Sequence, residues 1–202
     1  MSDTAQPRPT DLLQFQERTF AQSSQVLERV TTEQCGLPTP CPLFDVGTLA
    51  RHMLFAAQRV GAAGRRLSLA EPDTAVSGFD AAEVAPAFDK AAADALDAWR
   101  SPGALQGEIV LPFGTFPAPV VIQIYVIEQA THAWDLAVAL GTRQSLDETL
   151  AEAVLPIARV AILPEYRGEE PMPFAAEVAI GADTAPYDRL AAFMGRTLEL
   201  AS

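Results

Sequence analysis

With 202 residues, 49% of them hydrophobic and 20% charged, the chain has the size and composition of one globular domain with a substantial core. Its net charge of −12 repels a phosphate backbone and an anionic bilayer surface, so no nucleic-acid or membrane partner is expected. No apolar run approaches the roughly 18 residues that span a bilayer. The start MSDTAQPRPTD has neither the basic nor the apolar stretch of a signal peptide, so a cytoplasmic location is expected. Cys35 and Cys41, separated by GLPTP, read as small thiols near a turn rather than a disulfide or a zinc pattern.

The first helix is predicted from about Thr10 to Val30. Leu13, Phe20 and Leu27 are spaced by seven, Leu12, Val26 and Val30 widen the stripe, and Thr10 or Asp11 serves as cap. CGLPTPCPLF breaks helical structure with three prolines. Asp45 caps a second helix to about Leu67, with Val46, Leu49, Ala50, Met53, Leu54, Ala57 and Val60 on its apolar side. Ser68 to Gly78 reads as a loop.

A third helix is expected from near Asp80 to Trp99, with Val84, Phe88, Ala92, Ala95 and Trp99 on one face and Pro86 tolerated near its first turn. From Ser101 to Pro119, prolines and glycines surround GEIVLPFGTF, which suggests a short hairpin or extended piece. A connection of that length can carry the chain along a bundle, so the next helix need not be antiparallel to the third. The fourth helix, Val120 to Leu140, is apolar on nearly every side, which marks a central helix, and stops at Gly141. A fifth runs from about Asp147 to Ile162. The tail is expected to hold an extended segment and a short helix near Tyr187 to Met194.

The fourth helix carries the chemistry. Glu128 and His132 are four residues apart and emerge from one face. Burying a carboxylate and an imidazole in so apolar a helix is costly unless they are paired, and a divalent cation satisfies both. The remaining histidine, His52, lies between apolar positions on the second helix, where bundle neighbours can bring it to the pair. The result would be a two-histidine, one-carboxylate set with open coordination positions. A hydrogen-bonded Glu-x-x-x-His pair and an unrelated core histidine account for the same spacing without a metal.

At these residues the chain resembles a known family. TPCPLFDVGTLARHM resembles the Pro-Cys-x-x-Trp-x-Val-x-x-Leu-x-x-His motif of DinB-like proteins, in the branch of the mycothiol-dependent maleylpyruvate isomerase N-terminal domain. EQATHAWDLAVALG is similar to that branch's Glu-x-x-x-His-x-Trp-Asp motif. GEIVLPFGTFPA and PFAAEVAIGADTAPYDRLAAFMGR are similar to its extended segment and to the closing motif of a stand-alone actinobacterial-type group.

The resemblance covers about Leu12 to Arg196. It implies an all-α, single-domain four-helix bundle, up-down-down-up, with a short extended crossover. Its core would span about 10–165 and a small C-terminal extension 166–202. It also implies that His52, Glu128 and His132 bind a divalent metal, zinc first, with nickel and iron also compatible with the donors. Phe44 stands where the family usually has tryptophan, a packing change not expected to reach the metal. The isomerase carries a further C-terminal domain with no counterpart expected here, so its own activity is not expected to carry over.

An open site of this kind can activate a low-molecular-weight thiol, mycothiol or a relative, for transfer to or isomerisation of a small electrophile. The same ligands would serve a metal-dependent hydrolase, or a metal that only holds the bundle together. Arg59, seven residues past His52, is a candidate contact for an anionic substrate; snorkelling to solvent or pairing with an acid is the plainer alternative. Tyr125 could donate a hydrogen bond near the site or simply pack. Asp135 could orient a ligand or pair with an arginine of a neighbouring helix. Trp134 is expected in the core. Family members are often homodimers, and the apolar tail is a candidate contact.

Overall fold

The structure is a computed structural model that describes residues 9–67, 81–112, 114–168, 174–181 and 183–198. Among the described residues, six α-helices and one small hairpin follow in the order α1 (Pro9–Leu27), α2 (Val46–Gly64), α3 (Ala81–Arg100), β1 (Glu108–Leu111), β2 (Gly114–Pro117), α4 (Ala118–Ala139), α5 (Glu148–Ala161) and α6 (Pro186–Phe193). The loop expected over Ser68 to Gly78 lies outside the described residues.

The helix boundaries follow local chemistry. The Asp45 side chain accepts from the Thr48 amide at 2.7 Å and caps α2 as anticipated. Helix α1 begins at Pro9, so Thr10 and Asp11 lie in its first turn rather than capping it, a correction that fits proline's preference for that position. The helix also stops three residues before Val30. Pro86 is the sixth residue of α3 and therefore sits beyond the first turn.

Gly141 ends α4 with φ +67°; its amide reaches the Val138 carbonyl while the Thr142 amide reaches that of Ala137. Helix α2 closes in the same way, but with Arg66 at φ 59° in the position that favours glycine, so it stops before the expected Leu67.

Four helices form the bundle. Small residues let α2 and α3 approach closely: Gly61 faces Ala95 and Gly64 faces Ala98 and Trp99, and the Trp99 indole donates to the Val60 carbonyl at 2.8 Å. These pairs advance together along both helices, so α2 and α3 run parallel. Glu17 pairs with Arg100 and Ser24 bonds Asp89, which makes α1 antiparallel to α3. His52 meets Glu128 and Arg59 meets Tyr125, which makes α2 antiparallel to α4. The topology is up-down-down-up.

This order corrects the expected role of the 101–119 segment. Helices α3 and α4 are antiparallel, and the hairpin stays at one end of the bundle, where the Ala118 amide bonds the Gly107 carbonyl and Arg66 reaches the Ala104 carbonyl. The helices that run parallel are instead α2 and α3. In the hairpin, β1 pairs antiparallel with β2, Ile109 opposite Phe116, and Ile109 and Leu111 point into the core.

Helix α4 is central, as its composition requires. Its buried side includes Ile122, Val126, Ala130, Trp134 and Leu136, and polar residues come with partners. Gln129 donates to the Met53 carbonyl at 3.1 Å and accepts from Ser23 at 3.3 Å, tying α4 to α2 and α1 beside Glu128. Trp134 is fully buried and donates to Asp188 of α6 at 3.0 Å; Asp188 also binds Arg143. No helix among the described residues is long and apolar enough to cross a membrane.

Candidate metal centre

The antiparallel register of α2 and α4 sets His52, two turns past its cap, directly against Glu128. His52 Nε2 lies 3.0 Å from Glu128 Oε1, and the His52 and His132 rings are 4.9 Å apart at nearly right angles. One donor atom each from His52, Glu128 and His132 fall within 4.8 Å of one another. A cation with bonds of about 2.0–2.2 Å keeps its donors roughly 3–3.5 Å apart. The His52–Glu128 spacing already matches that value, and His132 would draw closer on binding a cation. Two imidazoles and a carboxylate suit zinc, nickel and iron.

Burial grades across the three. His132 is buried, whereas the His52 and Glu128 side chains are 28% and 27% exposed, so the cluster opens on one side. That side holds a cavity of about 70 Å³ between α2 and α4, lined by His52 and Glu128 together with Phe55, Arg59, Ile124 and Tyr125.

Electrostatics favour an ionised Glu128. Burial pushes its carboxyl up, but the hydrogen bond with His52 and the charges of His52, His132 and Arg59 outweigh that, and it sits below the usual carboxylate range. Burial, helped by the charge of Glu128, pushes the Tyr125 phenol up to about 12, so it remains a neutral donor.

Behind His132 lies a second layer. His132 Nδ1 is 3.0 Å from Asp135 Oδ2, which leaves Nε2 for the cluster. Asp135 is fully buried, and Arg196 grips both its oxygens, Nε to Oδ1 at 3.2 Å and Nη2 to Oδ2 at 3.1 Å. Burial opposes ionisation of Asp135, but His132 and Arg196 outweigh it and lower its pKa. Asp135 thus pairs with an arginine, Arg196, which lies just past α6 rather than on a neighbouring bundle helix, and contacts His132 at the same time. The link depends on Gly195: at φ +80° it turns the chain, and a Cβ there would meet the Ala175 Cβ at 2.7 Å.

Cys41 shares this inner side, with its sulfur, a His132 nitrogen and an Asp135 oxygen within 4.8 Å of one another. All three residues are buried, Asp135 is already engaged, and burial pushes the Cys41 thiol up, so this inner group offers no open position. Both cysteines are free thiols.

Phe44 lies against both histidines of the cluster. Its ring stacks on His52 at 4.8 Å and 26°, and meets His132 edge-on at 6.0 Å. A substitution at that position touches both imidazoles directly. Arg59 corrects one expectation: it neither snorkels freely nor forms an ion pair at hydrogen-bonding distance among the described residues, and its Nε and Nη2 are buried without partners. Arg196 and Cys41 escaped sequence reasoning. The only signal for Arg196 was its place at the end of the closing motif.

Known proteins place the chain. Two uncharacterized proteins from two strains of Mycobacterium tuberculosis are each 35% identical to it over 190 residues, 93% of this chain and 99% of theirs. The crystal structure of the mycothiol-dependent maleylpyruvate isomerase superposes with a TM-score of 0.57 at 19% identity, covering 74% of this chain and 68% of that one. A histidine-to-alanine mutant of that enzyme gives 0.58 at 18%, with the same coverage. Both share the fold of this chain. Residues 17–137 match the family described as mycothiol maleylpyruvate isomerase N-terminal domain, and the chain belongs to that family.

Proposed function

We propose that the protein holds a divalent cation, zinc in the first instance, between His52, Glu128 and His132. In this reading it activates a low-molecular-weight thiol, mycothiol or a relative, for transfer to or isomerisation of a small electrophile. The observation that carries the reading is the convergence of three donors within 4.8 Å on a side open to a cavity. Partial exposure of His52 and Glu128 favours an exchangeable site over a sealed structural one. The thiol rests on the family and on a solved structure of the same fold whose enzyme is mycothiol-dependent by name.

When bound, the cation would supply Lewis acidity that lowers the pKa of a thiol placed against it. The protein's residues do the rest. Asp135 accepts the Nδ1 proton of His132 and directs Nε2 outward. Arg196 keeps Asp135 ionised for that task. Phe44 covers one face of His52 and excludes water from that flank. Tyr125 remains a neutral hydroxyl donor at the cavity wall.

The setting in this reading is the cytoplasm, where Cys35 and Cys41 stay reduced, and a homodimer through the tail remains an expectation for light scattering to decide. The thiol reading is tested on cobalt-substituted protein. Addition of mycothiol should shift the visible bands of the cobalt, as sulfur ligation does. Unchanged bands at saturating thiol, in protein that carries one cobalt per chain, would sink it.

A further inference from the structure

The geometry points to a carboxylate-binding subsite formed by Arg59, with the Tyr125 hydroxyl beside it, so that the small molecule handled next to His52 and Glu128 carries a carboxylate. Among the described residues, Arg59 is the one side chain with two buried polar atoms that lack hydrogen-bond partners. Those atoms are Nε and Nη2, which form one edge of the guanidinium and match the two oxygens of a carboxylate. Buried donors in native structures are nearly always satisfied, so Nε and Nη2 are the donors that a carboxylate entering beside Arg59 would satisfy.

The surroundings fit. Arg59 and Tyr125 line the same small cavity as His52 and Glu128, and its volume of about 70 Å³ suits a carboxylate group rather than a ring. The Phe55 ring lies 5.5 Å from the Arg59 guanidinium carbon and braces it from one side.

Charge gives a second argument, which rests on the metal reading proposed above. Arg59 offsets Glu128, and Arg196 offsets Asp135. A divalent cation then adds two positive charges to a half-buried site. An activated thiol supplies one negative charge, and a carboxylate on Arg59 supplies the second.

The test follows the Arg59 Nε–H resonance by NMR while acetate, or its neutral isostere acetamide, is added to zinc-loaded and to metal-free protein. Acetate should shift the resonance and acetamide should not. Arg59→Met should weaken acetate binding about tenfold or more, as expected for loss of a charge-assisted fork, and Arg59→Lys should fall between, both with wild-type zinc content. If acetate leaves the resonance unmoved, or Arg59→Met binds acetate as wild type does, the subsite is refuted while the metal reading stands. Protein that takes up no zinc but still shows the acetate response keeps the subsite and refutes the metal reading.

Discussion

His132 Nδ1 and Asp135 Oδ2 lie 3.0 Å apart, one turn along α4, and this contact fixes which imidazole nitrogen is offered to the cluster with His52 and Glu128. Asp135→Asn can present its NH₂ to Nδ1 and favour the wrong tautomer. Zinc affinity should fall roughly 10–100-fold, the range seen when a partner behind a metal-binding histidine is lost. Competition with a chromogenic chelator measures it, and wild-type affinity in the variant would remove Asp135 from the account.

Gly195 holds Arg196 against Asp135 from 61 residues away in sequence. Gly195→Ala forces an L-residue into a left-handed conformation and drives its Cβ into Ala175. We expect a loss of about 2 kcal/mol in urea unfolding. The loss should come with weaker zinc binding, because Arg196 moves as the turn opens.

Asp147 caps α5 by accepting from the Thr149 amide and pairs with Arg18 at 2.7 Å. Slight burial raises its pKa, but the Arg18 and Thr149 hydrogen bonds outweigh that and hold it below its ordinary value of 3.8. A lowered carboxylate pKa means stability that is present above the unfolded value and is lost as pH falls through the folded one. Asp147→Ala should therefore cost about 1 kcal/mol at neutral pH, most of it from the cap, since the ion pair is half exposed and screened. The difference from wild type should shrink below about pH 4, where the unfolded-state carboxyl begins to protonate. Thermal melts across pH 7 to about pH 3 read this out; a constant difference would contradict it.

Phe44→Ala should loosen both imidazoles, lowering zinc affinity and stability together, the latter by about 2 kcal/mol. Phe44→Trp, which keeps an aromatic ring against His52, should keep zinc binding. Paired chelator titrations and melts separate the two outcomes.

Much of the fold was legible because its helices announce themselves locally. The faces of α2 and α3 read from Leu49, Met53, Val60, Phe88 and Trp99 are buried, and Asp45 and Gly141 mark the start of α2 and the end of α4. The parallel run of α2 and α3 was not legible in helical periodicity, because it depends on close approach at Gly61 and Gly64, and the resemblance alone supplied it.

The candidate site divides in the same way. Glu128 and His132 share one helix face, so spacing identified them. The meeting of His52 with Glu128 across 76 residues is tertiary, and only the family resemblance supplied it. Arg196 stood only as the last residue of the closing motif, and its contact with Asp135 is tertiary. The burial of Arg59 Nε and Nη2 is equally a product of packing between α2 and α4.

The central claim is that His52, Glu128 and His132 form a metal site, and the most direct measurement is metal content by mass spectrometry after equilibration with zinc and desalting. Wild type should retain one zinc per chain, and His132→Ala, folded by circular dichroism, should retain almost none. A wild type that keeps no stoichiometric zinc, nickel or iron under these conditions, or a His132→Ala variant that keeps as much as wild type, would contradict the account.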